Sequence, residues 1–177
     1  MQAGNRVLIV YYSLSGNTER VARDLATRLG ADLEQIREPT NRRGFLGYLR
    51  AALDSLRGTS VQLVGPVRNP RDYALTIVGT PVWAGRITPA ARTFLKSIRD
   101  VAPAIAFFTT SGGTPAQRLV PSVERLLRKR LAAWQGFTYH DLRDAANYGH
   151  RIDAFVTDVK LRPSPPAIEP GATHAHA

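Results

Sequence analysis

Residues 6–25, RVLIVYYSLSGNTERVARDL, pass from a strand through a hydroxyl-rich turn into a helix, and this order constrains the fold more than any other stretch. Val7, Leu8, Ile9 and Val10 form a continuous apolar run. Alternation would suit a sheet with one wet face, whereas a continuous run suits a strand covered on both faces within a parallel sheet. The turn Ser13-Leu14-Ser15-Gly16-Asn17-Thr18 offers hydroxyls and backbone N–H groups. From Thr18 onward, Val21, Ala22, Leu25, Ala26 and Leu29 recur at helical spacing. A strand that leads straight into a helix N-terminus leaves unpaired N–H groups and a positive dipole end at its tip, a natural place for a phosphate. An ordinary strand-to-helix turn would show the same residues, so the loop alone does not decide.

The remaining sequence repeats the strand–helix alternation. Further strands are expected at about 31–36, 73–80, 103–109 and 134–140. Helices are expected at 45–57, from Thr88-Pro89 to Ile98, from Pro121 to Leu131, and over about 148–161. Thr88 reads as an N-cap with proline at the first helical position. Segment 58–72 is Gly/Pro-rich and reads as loop, and residues 163–177 read as a disordered tail after a single domain, 1–162. Such alternation implies an α/β fold with a doubly wound five-stranded parallel sheet and helices on both faces.

Composition narrows the chemistry. With no cysteine, disulfides, thiolate metal sites and thiol catalysis are excluded. No apolar run approaches the roughly 20 residues that span a bilayer, and no signal-peptide pattern opens the sequence, so the expectation is a cytoplasmic protein. The net charge of +10 raises the question of nucleic acid. The positive excess is spread along the chain rather than gathered in one stretch, which argues against nucleic acid as the main partner. No Gly-x-Ser-x-Gly elbow or Walker-type loop is present, and His140 and His150 have no evident nucleophile partner. The strand ends Tyr11-Tyr12-Ser13 and Gly79-Thr80-Pro81 lack the aspartates of a phosphoacceptor receiver domain.

In an open α/β sheet, ligands sit outside the carboxyl ends of the strands. Three loops are expected there: 13–18, 80–87 and 109–114. None contains an acid, a histidine or a lysine. This composition suits a cofactor that brings its own reactivity and suits hydrolysis badly. Trp83, among the small residues of Thr80-Pro81-Val82-Trp83-Ala84-Gly85, could present its face to a planar ring. Thr109-Thr110-Ser111-Gly112-Gly113-Thr114 exposes amides able to bond the polar edge of a heteroaromatic system. A phosphate end and a flat end together describe a mononucleotide.

At this point the chain resembles the flavodoxin-like family. The family's N-terminal pattern is met by Ile9, Val10, Tyr11, Ser13, Gly16, Thr18, Ala22 and Leu25, and GTPVWAGRITPAARTFL at 79–95 and FFTTSGG at 107–113 resemble its second and third flavin loops. The resemblance spans about residues 5–160 and implies the strand order 2-1-3-4-5 and flavin mononucleotide (FMN) as cofactor. It implies that Ser13, Ser15, Gly16, Asn17 and Thr18, with Leu14 between them, hold the phosphate. Pro81, Val82, Trp83, Ala84 and Gly85, following Thr80, would line one side of the isoalloxazine, and Ser111, Gly112 and Gly113 would meet its pyrimidine edge. Two departures stand out: electron-carrier members are typically acidic, and they usually place an aromatic residue in the third loop. Both favour a more open flavin face, as in flavin-dependent quinone-type reductases.

The resemblance therefore implies an FMN-dependent redox protein, with NAD(P)H as a candidate electron donor and a small molecule or a protein as redox partner. Arg42, Arg43 and Arg86 are candidates for attracting a phosphorylated dinucleotide. Two alternatives stay open: an electron carrier without its own NAD(P)H turnover, and a degenerate member that binds a partner without redox chemistry. A homodimer is also left open.

Overall fold

The computed structural model describes residues 6–37 and 68–161. In chain order these form β1 (Val7–Tyr11), α1 (Asn17–Leu29), β2 (Asp32–Gln35), β3 (Leu75–Trp83), β4 (Arg86–Ile87) and α2 (Pro89–Ile98). There follow β5 (Ile105–Ser111), α3 (Val120–Leu127), β6 (Trp134–Thr138), α4 (Tyr139–Arg143) and α5 (Ala145–Lys160). The parallel strands stand in the order β2-β1-β3-β5-β6, and β4 pairs antiparallel with the end of β3. Counting the parallel strands alone, this is 2-1-3-4-5, the order that the family resemblance implies.

Successive strand residues serve opposite layers. Leu8, Val10, Val78 and Phe107 pack with α2 and α3, through Phe94, Leu95, Val123 and Leu127. Ile9, Tyr11, Ile77 and Phe108 pack with α1 and α5, through Val21, Leu25, Ile152 and Phe155. Burial on both faces is why the strand sequence is continuously apolar. The sheet admits little slack at its centre. A Cβ built on Gly79 of β3 would stand 2.1 Å from Cζ of Phe108, whose ring crosses that position from β5.

Several boundaries differ from the sequence expectation, each for a physical reason. Strand β3 continues to Trp83 rather than stopping near residue 80, because β4 supplies a partner for Val82 and Trp83. Strand β5 covers 105–111 rather than 103–109. Thr110 reads as a polar loop residue but is a buried ladder residue, paired with Pro81 beside the Thr109–Thr80 pair. Helix α3 ends at Leu127 because Arg128 turns left-handed, at φ 56°, and Leu131 returns to the core after that turn. The last helix begins at Ala145, where Asp144 accepts from the N–H groups of Ala146 and Asn147. Helix α4 was not expected at all. Of segment 58–72, residues 68–72 are described and include a short 3₁₀ turn, Pro70–Asp72. The helix expected at 45–57 and the tail at 163–177 lie outside the described residues. Among the described residues no helix is long and apolar enough to cross a membrane.

Candidate functional site

Strands β1, β3 and β5 are neighbours, so the segments at their carboxyl ends, drawn from distant parts of the sequence, meet along one edge of the sheet. In the first segment Gly16 adopts φ 87°, in the left-handed region that favours glycine. Its N–H donates to Ser13 Oγ at 3.2 Å, and its carbonyl accepts the first helical bond, from Arg20 N at 2.9 Å. No side chain caps the start of α1, so the first-turn amides are not taken by a capping oxygen. Leu14, Ser15, Gly16 and Asn17 are exposed and Ser13 is half-buried. Glu19, the acid in this first turn, is drawn away by Arg23, whose Nη2 donates to it at 2.7 Å.

Thr18 differs from its neighbours. It is buried, and its Oγ1 lies 2.7 Å from Thr110 Oγ1 on β5. The start of α1 is thereby fastened to the strand that carries the third segment.

The second segment is a hairpin tip rather than an open loop. Ala84 and Gly85 join β3 to β4 with φ values of 47° and 71°. Two left-handed central residues in a two-residue connection match a type I′ turn, whose twist suits antiparallel strands. Thr80 is buried and bonded inward: Oγ1 donates to the Pro81 carbonyl at 3.0 Å and lies 2.9 Å from Thr88 Oγ1, the N-cap of α2. Pro81, Val82 and Trp83 are half-buried, while Ala84 and Gly85 are exposed. Trp83 meets Tyr12 edge to face, with ring centroids 5.8 Å apart, so the tryptophan is oriented from the β1 side.

In the third segment Ser111 Oγ donates to the Thr114 carbonyl at 2.9 Å, closing a turn around Gly112 and Gly113. Both glycines are exposed, and a Cβ added to either would meet nothing within 4 Å. Open space therefore lies over their backbone.

Every residue that the sequence singled out for the three loops thus sits on this edge, although Thr80 points its hydroxyl away from it. Sequence reasoning missed the supporting residues: Thr110 behind Thr18, Tyr12 behind Trp83, and Thr88 behind Thr80. It also missed the hub beside the third segment, where Thr138, the register partner of Ser111, opens α4. Thr138 N and Oγ1 each donate to Asp141 Oδ2 at 2.7 Å, and Asn147 Nδ2 donates to Oδ1 at 2.6 Å. Arg151 Nε lies 3.0 Å from the same Oδ1 as an ion pair, while Nη1 donates to Gln135 and Gly136. Burial alone would raise the Asp141 carboxyl. The Thr138 bonds, the Arg151 charge and the Asn147 bond outweigh it and hold the carboxyl below its ordinary value. The Thr138-x-x-Asp141 spacing is a capping-box signature legible in the sequence. Among the described residues no group of three or more His, Cys, Asp or Glu could hold a metal ion.

A sequence profile of the flavodoxin family matches residues 6–129, from β1 to just beyond α3. No protein of curated function matches the sequence. Among solved structures, the fold is similar to a Lactobacillus acidophilus flavoprotein crystallised in complex with FMN. The TM-score is 0.67 at 21% identity, over 85% of this chain and 98% of that one. A Bacteroides eggerthii protein aligns with a TM-score of 0.69 at 19% identity, over 89% and 99% of the two chains. A flavodoxin from the Archaea aligns with a TM-score of 0.55 at 11% identity, over 88% and 96%. At these identities the solved structures speak for the fold, and the profile, which covers more than half of the sequence, speaks for descent. By that match and by its strand order, the chain belongs to the flavodoxin family.

Proposed function

We propose that this protein binds FMN across the carboxyl edge of β1, β3 and β5 and serves as a redox protein with its own reductase turnover. The observation that carries the reading is the fastening of two of the three segments by the buried Thr18–Thr110 contact, which fixes their spacing. The donor set suits the group. Ser13, Ser15 and Asn17 and the uncapped amides of α1, the Thr18 N–H among them, are neutral donors for a phosphate, with Gly16 allowing close backbone approach. Trp83, held edge-on by Tyr12, offers an aromatic surface, and the amides of Gly112 and Gly113 open onto unfilled space suited to a ring's polar edge.

When bound, FMN would supply reversible one- and two-electron chemistry. The chain's own residues would bind, orient and tune. Neutral hydroxyls and amides around the phosphate would add no cationic side chain. The helix end contributes on the order of 0.3–1 kcal/mol if exposed and about 2 if partly buried. The three segments hold no acid, histidine or lysine, so protons would be exchanged with water at the open glycine turn rather than with a side chain. The exposure of Gly112 and Gly113 favours turnover over simple carriage, because one side of the ring would stay within reach of a small substrate.

The test is anaerobic mixing of FMN-loaded protein with NADPH or NADH, followed by flavin absorbance. Rapid bleaching by either nucleotide is the expected result. Persistent absorbance with both, in protein shown to hold FMN, would overturn the reductase reading in favour of a carrier.

A further inference from the structure

The edge that holds the candidate site is bordered by arginines. Arg37 follows β2, Arg86 opens β4, Arg92 lies in the first turn of α2, and Arg118 ends the 3₁₀ turn after the third segment. Arg37 is brought beside the end of β1 by the bond from Ile36 N to the Tyr11 carbonyl, at 2.7 Å. Arg37, Arg86 and Arg118 are exposed and Arg92 is half-buried. None of the four has an ion-pair partner among the described residues, in contrast to Arg6, Arg23, Arg68 and Arg151 elsewhere. Among the described residues, Glu19 is engaged by Arg23, Asp141 by Arg151, and Asp144 as the N-cap of α5. Among the described residues, the charge left uncompensated along this edge is therefore positive.

The spacing speaks to the size of what this charge would meet. The four arginines come from segments running from β2 across to β5, three strand intervals, or about 14 Å at the usual spacing. A single phosphate or carboxylate is gripped by donors converging on one group, whereas these are spread over a face. At the middle of that face are apolar side chains: Leu14, 62% exposed, and half-buried Trp83. An apolar centre within a charged border is the anatomy of a protein–protein interface rather than of a nucleic-acid groove.

We propose that Arg37, Arg86, Arg92 and Arg118 form a docking face for an acidic electron-transfer protein, whose surface carboxylates would bracket the cofactor mouth. The electron-transfer part rests on the FMN reading above. Charge of this kind steers association and makes it sensitive to salt.

The test uses the full chain loaded with FMN and poly-L-glutamate as the acidic probe, followed by titration calorimetry at about 20 and about 200 mM salt, which moves the screening length through the range of these separations. Inorganic phosphate and duplex DNA serve as comparison ligands. R37Q/R86Q/R92Q/R118Q is compared with R71Q/K96Q/R125Q/R128Q, which removes the same charge from exposed positions elsewhere. The expected result is polyglutamate binding that weakens about tenfold with salt and about tenfold in the first variant, with a change under about twofold in the second. Circular dichroism verifies folding, and R86Q/R118Q replaces the first variant if that variant unfolds, with an expected loss of about threefold. Equal losses in both variants would overturn the proposal, since bulk charge would then suffice. Tighter binding of DNA, lost in the same variant, would overturn it in favour of a nucleic acid, and phosphate binding alone would reduce the face to a small-anion site. A parallel FMN titration separates the two readings, because rim-dependent polyglutamate binding without FMN uptake would leave the docking face standing and remove the redox role.

Discussion

The hydroxyls of Thr18 and Thr110 meet at 2.7 Å in the interior, although 92 positions separate the two residues. One belongs to the first turn of α1 and the other to β5, just before the glycine turn. Their contact sets the distance between the two segments assigned to the ends of the cofactor. Thr18→Val and Thr110→Val keep the shape and remove the bond, and each is expected to lower stability by about 1 kcal/mol. A double-mutant cycle in urea should show a coupling of about 0.5–1.5 kcal/mol. FMN affinity should fall in both variants, because the contact sets the spacing of the two segments, and unchanged affinity in both would contradict the assignment.

Gly79→Ala is expected to be among the more damaging single-methyl additions in this sheet. The new Cβ would overlap the Phe108 ring, which is fully buried between β5 and the α1/α5 layer. Overpacking of this kind costs about 1–3 kcal/mol, and the upper part of that range is expected here. Chemical denaturation measures it. Combining Gly79→Ala with Phe108→Leu should recover part of the loss, whereas strictly additive losses would show that the ring is not what resists the methyl group.

Ala84 carries backbone strain that an asparagine would relieve. Its φ of 47° lies in the region costly for alanine and tolerated by asparagine, and Asn-Gly is the favoured pair for a type I′ hairpin. Ala84→Asn should stabilise the protein by about 0.5–1 kcal/mol, raising Tm by about 2 °C. Scanning calorimetry decides, and a lower Tm would contradict the turn assignment.

Asp141 should make the protein sensitive to acid. Its carboxyl titrates below the ordinary value because the Thr138 bonds, Arg151 and Asn147 together outweigh the cost of burial. The associated stability is complete above the unfolded carboxylate value of about 3.9 and disappears as pH falls through the lower folded value. Asp141→Asn should therefore lose about 1–3 kcal/mol at neutral pH. The gap between wild type and variant should narrow below about pH 4. Unfolding free energies measured across that range give the comparison, and a gap that widens in acid would contradict the sign.

The layers were legible because burial on both faces writes itself into sequence as uninterrupted apolar runs, as at Val7–Val10 and in Ile105–Phe108. The boundaries were less legible because polar side chains were satisfied by partners remote in sequence. Thr110 reads as loop, yet it is buried in the ladder and bonded to Thr18. The second loop became a hairpin because the short strand Arg86–Ile87 gives no periodicity of its own. Helix α4 is too short for periodicity to register, although its Thr138–Asp141 box could have announced it. The candidate site was legible at its rim, where Gly16, Trp83 and Gly112-Gly113 are chemically distinctive. Its supports, Tyr12, Thr88 and Thr110, are common core residues, distinguished only by what they touch.

In the proposed site the Ser13–Thr18 turn receives a phosphate and the other two segments receive a flavin ring. Equilibrium titration of the apo-protein with FMN and, separately, with riboflavin tests both halves, read by flavin fluorescence and by the shape of the absorbance bands. The expected result is saturable quenching of FMN at one equivalent and binding of riboflavin weaker by at least about tenfold, roughly 1.4 kcal/mol for the phosphate. Unaltered FMN fluorescence, or equal affinity for the two flavins, would contradict it.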